Sequence, residues 1–207
     1  MKVLLVNGSP HPTGCTNRAL REVAAALETQ GVGSELFWIG VKPLAGCIAC
    51  GQCAKTGRCV FKDRVNEFLE VAGDFDGFVF GSPVHYAGAG GAITSFMDRA
   101  FYASGPELFY MKPAAAIVSA RRGGNTATWD QLNKYFGIKQ MPIVTSQYWN
   151  MVHGNTPAEV EQDLEGLQTM RTLGYNMAYM LKCLEAGRTA GVELPQREPG
   201  QRTNFIR

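Results

Sequence analysis

The segment Lys2-Val3-Leu4-Leu5-Val6-Asn7-Gly8-Ser9-Pro10 is an apolar run that ends abruptly in a turn. A strand with no polar alternation must bury both of its faces, which puts it in the middle of a parallel sheet covered by helices. Residues 75–80 read as another such strand and stop on the same tripeptide, Gly81-Ser82-Pro83. Working outward, strands are predicted at 35–39, 114–118 and 143–148. Helical periodicity fills 16–30, 64–71, 90–103, 126–136 and a long stretch at 157–186. Leu20, Val23, Ala24 and Leu27 share one helical face, as do Val65, Phe68 and Leu69. Five alternations of strand and helix predict right-handed crossovers and a three-layer α/β/α domain built on a five-stranded parallel sheet. That domain is expected to span 1–186, with a cysteine-rich insert at 46–59 and an extended arm rich in Pro, Gly and Arg at 187–207.

Composition narrows the possible functions. Hydrophobic residues make up 45% of the 207, enough to fill a core, so intrinsic disorder is excluded. Twenty basic against 18 acidic residues leave a net charge of +2, too balanced for a protein devoted to nucleic acid or an anionic membrane. The first ten residues lack the features of a secretory signal, and no apolar stretch is long enough to span a membrane. The expectation is a cytoplasmic protein, in which six cysteines need an explanation other than disulfides.

In an open parallel sheet, ligands bind beyond the carboxyl ends of the strands. Three such ends carry polar or glycine-rich loops: 8–17, 81–91 and 119–125. The first runs directly into a helix N-terminus, where backbone N–H groups and the Ser9 and Thr16 hydroxyls make a natural phosphate cradle; His11 and Asn17 are further candidate phosphate contacts, and Cys15 lies in the loop by position. The same residues also suit an ordinary strand–turn–helix junction. No G-x-x-x-x-G-K-[ST] is present, so a P-loop is excluded, and the lack of G-x-G-x-x-G after the first strand argues against the usual dinucleotide site. In the second loop, Pro83 stiffens the turn while Val84, His85 and Tyr86 offer a partly apolar surface suited to a ring.

With these three loops the sequence resembles the flavodoxin-like NAD(P)H-dependent FMN reductases. The family's Gly-Ser-Pro turn followed by Gly-Asn-Thr is matched by Gly8-Ser9-Pro10 and Gly14-Cys15-Thr16, with Cys15 in place of Asn. The 81–86 segment matches the flavin-ring loop, with His85 where Tyr is common. The resemblance implies strand order 2-1-3-4-5 and a phosphate held by the first loop. It implies a ring bounded by Pro83 to Tyr86 and by Ser119, Ala120, Arg121, Arg122, Gly123 and Gly124. Donors in that third loop would stabilise the charge that builds at the N1/O2 edge on reduction. No side chain need act as nucleophile, because the flavin carries the chemistry. The resemblance also implies a homodimer or homotetramer; helix 90–103 and the aromatic segment 146–153 are the expected interface.

Cys47, Cys50, Cys53 and Cys59 form C-x2-C-x2-C-x5-C. Structural zinc ordinarily uses two C-x2-C knuckles with a longer insert, so the compact spacing favours an iron–sulfur cluster. A redox-sensitive thiol loop and zinc stay open. The motif is similar to that of the iron–sulfur flavoproteins, which implies a [4Fe-4S] cluster beside FMN. Electrons would then come from NAD(P)H or a one-electron donor such as ferredoxin and pass to a small acceptor. The rival readings are a flavodoxin-type electron carrier, against which the +2 charge argues, and a redox sensor without turnover. Elsewhere, Cys183 reads as a small core residue and His153 has no assignable partner. Trp129, Tyr135, Tyr148 and Trp149 read as core or dimer contacts, and Arg197, Arg202 and Arg207 as a solvated arm.

Overall fold

The computed structural model describes residues 1–201 and 203. Its elements are β1 (Lys2–Asn7), α1 (Cys15–Thr29), β2 (Gly33–Trp38), α2 (Gln52–Thr56), α3 (Arg64–Val71), β3 (Gly77–His85), β4 (Gly88–Ala89), α4 (Gly91–Ala103), β5 (Ala114–Ala120), α5 (Asn125–Ile138), β6 (Met151–His153), α6 (Pro157–Val160) and α7 (Leu164–Thr189). The parallel strands run in the order β2-β1-β3-β5-β6, the predicted doubly wound arrangement, and β4 is a short antiparallel addition to β3.

The uninterrupted apolar strands do bury both faces. Val3 and Leu5 of β1 join Val79, Ala115 and Ile117 in a core closed by α1 and α7. Leu4 and Val6 face the other way, into a phenylalanine-rich core with Phe37, Phe68, Phe78, Phe80 and Phe96. Register pairs Phe78 with Ala114 and Phe80 with Ala116, so small side chains on β5 sit beside the bulk on β3. Such alternation fills the layer without voids. Between α1 and α7 the helices nearly touch. A Cβ on Gly174 would lie 2.6 Å from the Ala26 Cβ and 2.9 Å from the Val23 carbonyl oxygen.

Four expectations are corrected. The fifth strand is not 143–148. Ile143 makes one bridge to Ala114, the chain then leaves the sheet, and pairing resumes at Met151–His153. Ser146 explains the detour: its hydroxyl lies 2.7 Å from both the Tyr148 carbonyl and Asn150 Oδ1, donating its one proton between them, and accepts from the Tyr148 N–H. Such side-chain bonding to the backbone competes with the ladder. Secondly, the helix expected over 157–186 is two helices: the first ends at Val160, and Asp163 caps the next by accepting from Gly166 N–H at 2.9 Å. Thirdly, Cys183 is exposed rather than buried in the core. Finally, the arm begins only after Thr189 and folds back. Tyr110 donates to the Pro195 carbonyl, and the Arg197 guanidinium lies 3.6 Å from the Tyr110 ring while pairing with Glu107. Arg202 and Arg207 lie outside the described residues.

The α1–α7 contact gives a direct test. Gly174→Val should overpack it and cost about 1–3 kcal/mol, lowering the melting temperature by several degrees in calorimetry, at about 2–4 °C per kcal/mol for a chain of this size.

Candidate functional site

Three strands deliver their loops to one place because their carboxyl ends are pinned together. The Gly8 N–H donates to the Gly81 carbonyl at 2.9 Å. A Cβ on Gly8 would lie 2.7 Å from that same oxygen, and one on Gly81 would lie 2.8 Å from the Thr16 methyl. The two Gly-Ser-Pro turns are therefore neighbours in space; Gly8 is required by the close approach of the β3 backbone, and Gly81 by the Thr16 and Leu20 side chains of α1.

The first loop is prebuilt. Ser9 N–H donates to Asn7 Oδ1 at 3.0 Å, His11 N–H to Ser9 Oγ at 3.1 Å, and the Trp38 indole to the Ser9 carbonyl at 2.8 Å. It opens onto the start of α1, which Gly14 leaves without a side-chain cap and whose first turn has no acidic residue. Asn17 is buried, its Oδ1 accepts from Arg21 Nε, and its Nδ2 has no partner among the described residues. A helix N-terminus with free donors and a buried unmatched amide suits an anion. Cys15 differs from its neighbours. Its thiol points to the Gly154 carbonyl, 3.5 Å away, and burial pushes its pKa up.

The other two loops lock onto the first. Thr16 and Ser119 share a buried hydroxyl–hydroxyl bond of 2.8 Å. Gly124, at φ +96°, sits where a Cβ would fall 2.5 Å from Ala87 Cα and 2.8 Å from a Val84 methyl carbon. Sequence reasoning placed β3 at 75–80; in the structure it continues through Pro83 and Val84 to His85 and turns into β4. Tyr86 and Ala87 form that turn with φ of +49° and +60°, a left-handed conformation unusual for residues with a Cβ. Tyr86 and His85 are exposed, as are His11, Arg121, Arg122 and Gly123, whereas Ser119 and Ala120 are buried. Asn125 was not singled out from sequence. It is buried just after the third loop, and its Nδ2 has no partner among the described residues. The only signal was its place at the start of a helix after two glycines. Trp129 and Tyr135 pack against the phenylalanine-rich core, while Tyr148 and Trp149 lie exposed on the detour before β6. His153 does have a carboxylate beside it: Asp163 Oδ2 stands 3.6 Å from its Nδ1.

The cysteine segment lies between β2 and α3. Cys47, Cys50, Cys53 and Cys59 line one recess of about 20 Å³ against α4. All four are free thiols, and Cys47 and Cys50 are exposed. Left-handed Ala49, Gly51 and Gly57 bend the chain around it, and α2 carries Cys53. Among the described residues no three metal-binding side chains are already drawn to a common point. Cys59 is the best fixed of the four. Its N–H donates to Asn66 Oδ1 at 2.9 Å, and Asn66 Nδ2 returns a bond to its carbonyl at 2.9 Å. Arg99 is 2% exposed; its two terminal nitrogens each donate to Asp63 at 2.8 Å and its Nε to Cys59 Sγ at 3.2 Å. Burial works against that charge, but the bonds to Asp63 and Cys59 outweigh it and the guanidinium stays protonated. Four thiols around one recess with a buried cation form a donor set suited to an iron–sulfur cluster.

A cavity of about 540 Å³ lies at the opposite, amino end of the strands, beneath the C-terminal arm and remote from these loops. Among the described residues no helix is long and apolar enough to cross a membrane.

Comparison with known proteins agrees with this geometry. The sequence profile of the NADPH-dependent FMN reductases matches residues 1–156. An iron–sulfur flavoprotein of Methanocaldococcus jannaschii is 32% identical over 196 residues, which cover 89% of this chain and 100% of that protein. Among solved structures, RosB with bound 8-demethyl-8-formylriboflavin-5'-phosphate superposes with a TM-score of 0.70 at 14% identity, covering 100% of this chain and 92% of that one. A flavodoxin from the Archaea gives 0.60 at 16% identity, over 88% of this chain and 99% of that one. Such low identities speak to the fold, which is flavodoxin-like. With its three interlocked loops and its cysteine recess, the chain belongs to the NADPH-dependent FMN reductase family, in the iron–sulfur flavoprotein branch.

Proposed function

We propose that this FMN-dependent oxidoreductase takes electrons from NAD(P)H or a one-electron donor such as ferredoxin and delivers them to a small acceptor. In this reading Cys47, Cys50, Cys53 and Cys59 hold a [4Fe-4S] cluster as the one-electron relay. The observation that carries it is the start of α1. An uncapped helix N-terminus, an unmatched buried Asn17 amide and two further loops tied to the same spot suit a phosphate with a ring beside it. Bound there, FMN supplies the exchange between two-electron and one-electron chemistry.

The chain's own residues bind and orient. Ser9, His11, Thr16, Asn17 and the first N–H groups of α1 hold the phosphate, the Cys15 thiol staying turned toward Gly154. Pro83 to Tyr86 form one wall for the ring. Ser119 to Gly124 form the other, with the unmatched Asn125 amide behind them. Arg121 and Arg122 supply positive charge near the ring's polar edge. A second copy of the chain, as a homodimer or homotetramer, covers the side of the ring that one domain leaves open. Exposed Tyr86, Tyr148 and Trp149 are suited to that contact.

An anaerobic preparation analysed for visible spectrum, iron and acid-labile sulfide tests the reading. Flavin absorption with about four irons per chain is expected. Flavin without iron would leave a plain FMN reductase, and absence of flavin would overturn the proposal. NAD(P)H oxidation with a quinone, against a free-FMN control, then separates an enzyme from an electron carrier or a redox sensor.

Two substitutions probe the flavin loops. Asn17→Asp keeps the acceptor for Arg21 but replaces the free donor with an anion, so FMN affinity should fall by about tenfold or more in a fluorescence titration of the apoprotein. Gly124→Ala forces a Cβ into Ala87 at a left-handed φ. It should cost about 1–3 kcal/mol of stability and release flavin during gel filtration.

A further inference from the structure

The four cysteines are unequal. Cys47 and Cys50 are exposed, and Cys53 sits on the five-residue helix α2. Cys59 is fixed twice: Asn66, buried on α3, brackets its backbone, and Arg99, buried on α4, reaches its sulfur. Arg99 is itself held in one orientation. Its fork is occupied by both carboxylate oxygens of Asp63, its Nη1 also donates to the Ala45 carbonyl at 3.3 Å, and its plane lies 4.8 Å from the Phe61 ring centroid. A bidentate guanidinium is rigid, so the direction of its remaining Nε–H is set by the pair. Asp63 cannot swing away freely, because its Oδ1 also caps α3 by accepting from the Val65 N–H at 3.1 Å. Two helices and a cap thus aim one N–H at one sulfur.

We infer that Arg99 is a positioning residue that presets Cys59 as the anchor ligand and, by donating to its sulfur, raises the affinity of the bound cluster for an electron. This rests on reading the cysteine motif as a cluster site. The physical argument is electrostatic. A ligand sulfur becomes more electron-rich when the cluster gains an electron, and a fixed N–H donor with positive charge stabilises that state more than the oxidised one. Hydrogen bonds to the sulfurs and local charge are recognised determinants of cluster potential. Asp63 acts in the opposite sense, because its negative charge partly cancels the guanidinium. It therefore keeps Arg99 in place and tempers its effect.

The opposed signs make the test specific. In anaerobically purified holoprotein, Arg99→Met should bind electrons about tenfold less tightly, a midpoint shift of about −59 mV for one electron. Dithionite titration followed by visible absorption and electron paramagnetic resonance reads it. Asp63→Asn keeps one oxygen, which can still cap α3 and accept from one Arg99 nitrogen, but loses the second acceptor and the charge, and should shift the midpoint upward. Iron should also leave Arg99→Met faster than the parent when a chelator is added. Bound FMN, held by separate loops, reports whether each variant has folded, and Arg99→Lys serves as a milder variant if Arg99→Met loses flavin. Lys keeps a positive charge but not the fixed fork, so its midpoint should lie below the parent's. Midpoints that stay at the parental value in folded, iron-loaded variants, or that move in the same direction, would overturn the role of Arg99 while leaving the cluster assignment intact. A parent protein that carries FMN but no iron would overturn both.

Discussion

Everything at the carboxyl edge of the sheet depends on one close approach of two backbones. Gly8 and Gly81 are joined by a hydrogen bond at the ends of β1 and β3, with the Thr16 methyl group packed against the second glycine. A Cβ at Gly8 would meet the β3 backbone, and one at Gly81 would meet the Thr16 and Leu20 side chains of α1. Because these are adjacent interior strands, their union fixes where α1 begins. The start of α1 fixes Thr16, which ties in the third loop through Ser119. The repetition of Gly-Ser-Pro thus has a steric cause: the first glycine admits the neighbouring strand and the second admits the side chains of α1.

The same edge distributes polarity unevenly. The first loop has satisfied its own hydrogen bonds through Asn7, Ser9 and Trp38, so the donors it leaves over are the helix N–H groups and the Asn17 amide. A loop that needed its ligand in order to fold would show the reverse. Rigid self-bonded scaffolding around a few unmatched donors is how an anion site avoids a large ordering cost on binding. The cysteine segment follows another plan. Three of its thiols ride on glycine-bent chain with few anchors, and only Cys59 is tied into the helical layer.

Much of this was legible in the sequence, and the reasons are local. Val3 to Val6 announced a doubly buried strand because no polar residue interrupts them, and the two glycine-terminated strands announced the ligand edge. The edge strand was misread because residues 143–148 have the composition of a strand, yet Ser146 folds its hydroxyl back onto the backbone and turns the chain out. A single hydroxyl of that kind leaves no periodic trace. Asn125 and Arg99 were equally silent. Each sits in a helix whose sequence is unremarkable, and each matters through a partner far along the chain or through the lack of one. Cys183 misled for the opposite reason: it follows an apolar helical face, but the face turns outward where α7 outruns the sheet.

The turn at Tyr86 and Ala87 has a consequence for assembly. Both residues already occupy a conformation that an unstructured chain would seldom visit, and the Val84–Ala89 and His85–Gly88 pairs keep them there. The folding of the domain has therefore already met the backbone entropic cost of presenting an aromatic residue at that tip. A surface that meets Tyr86 finds its backbone in place and has only the side-chain rotamers left to order, which lowers the cost of a contact there.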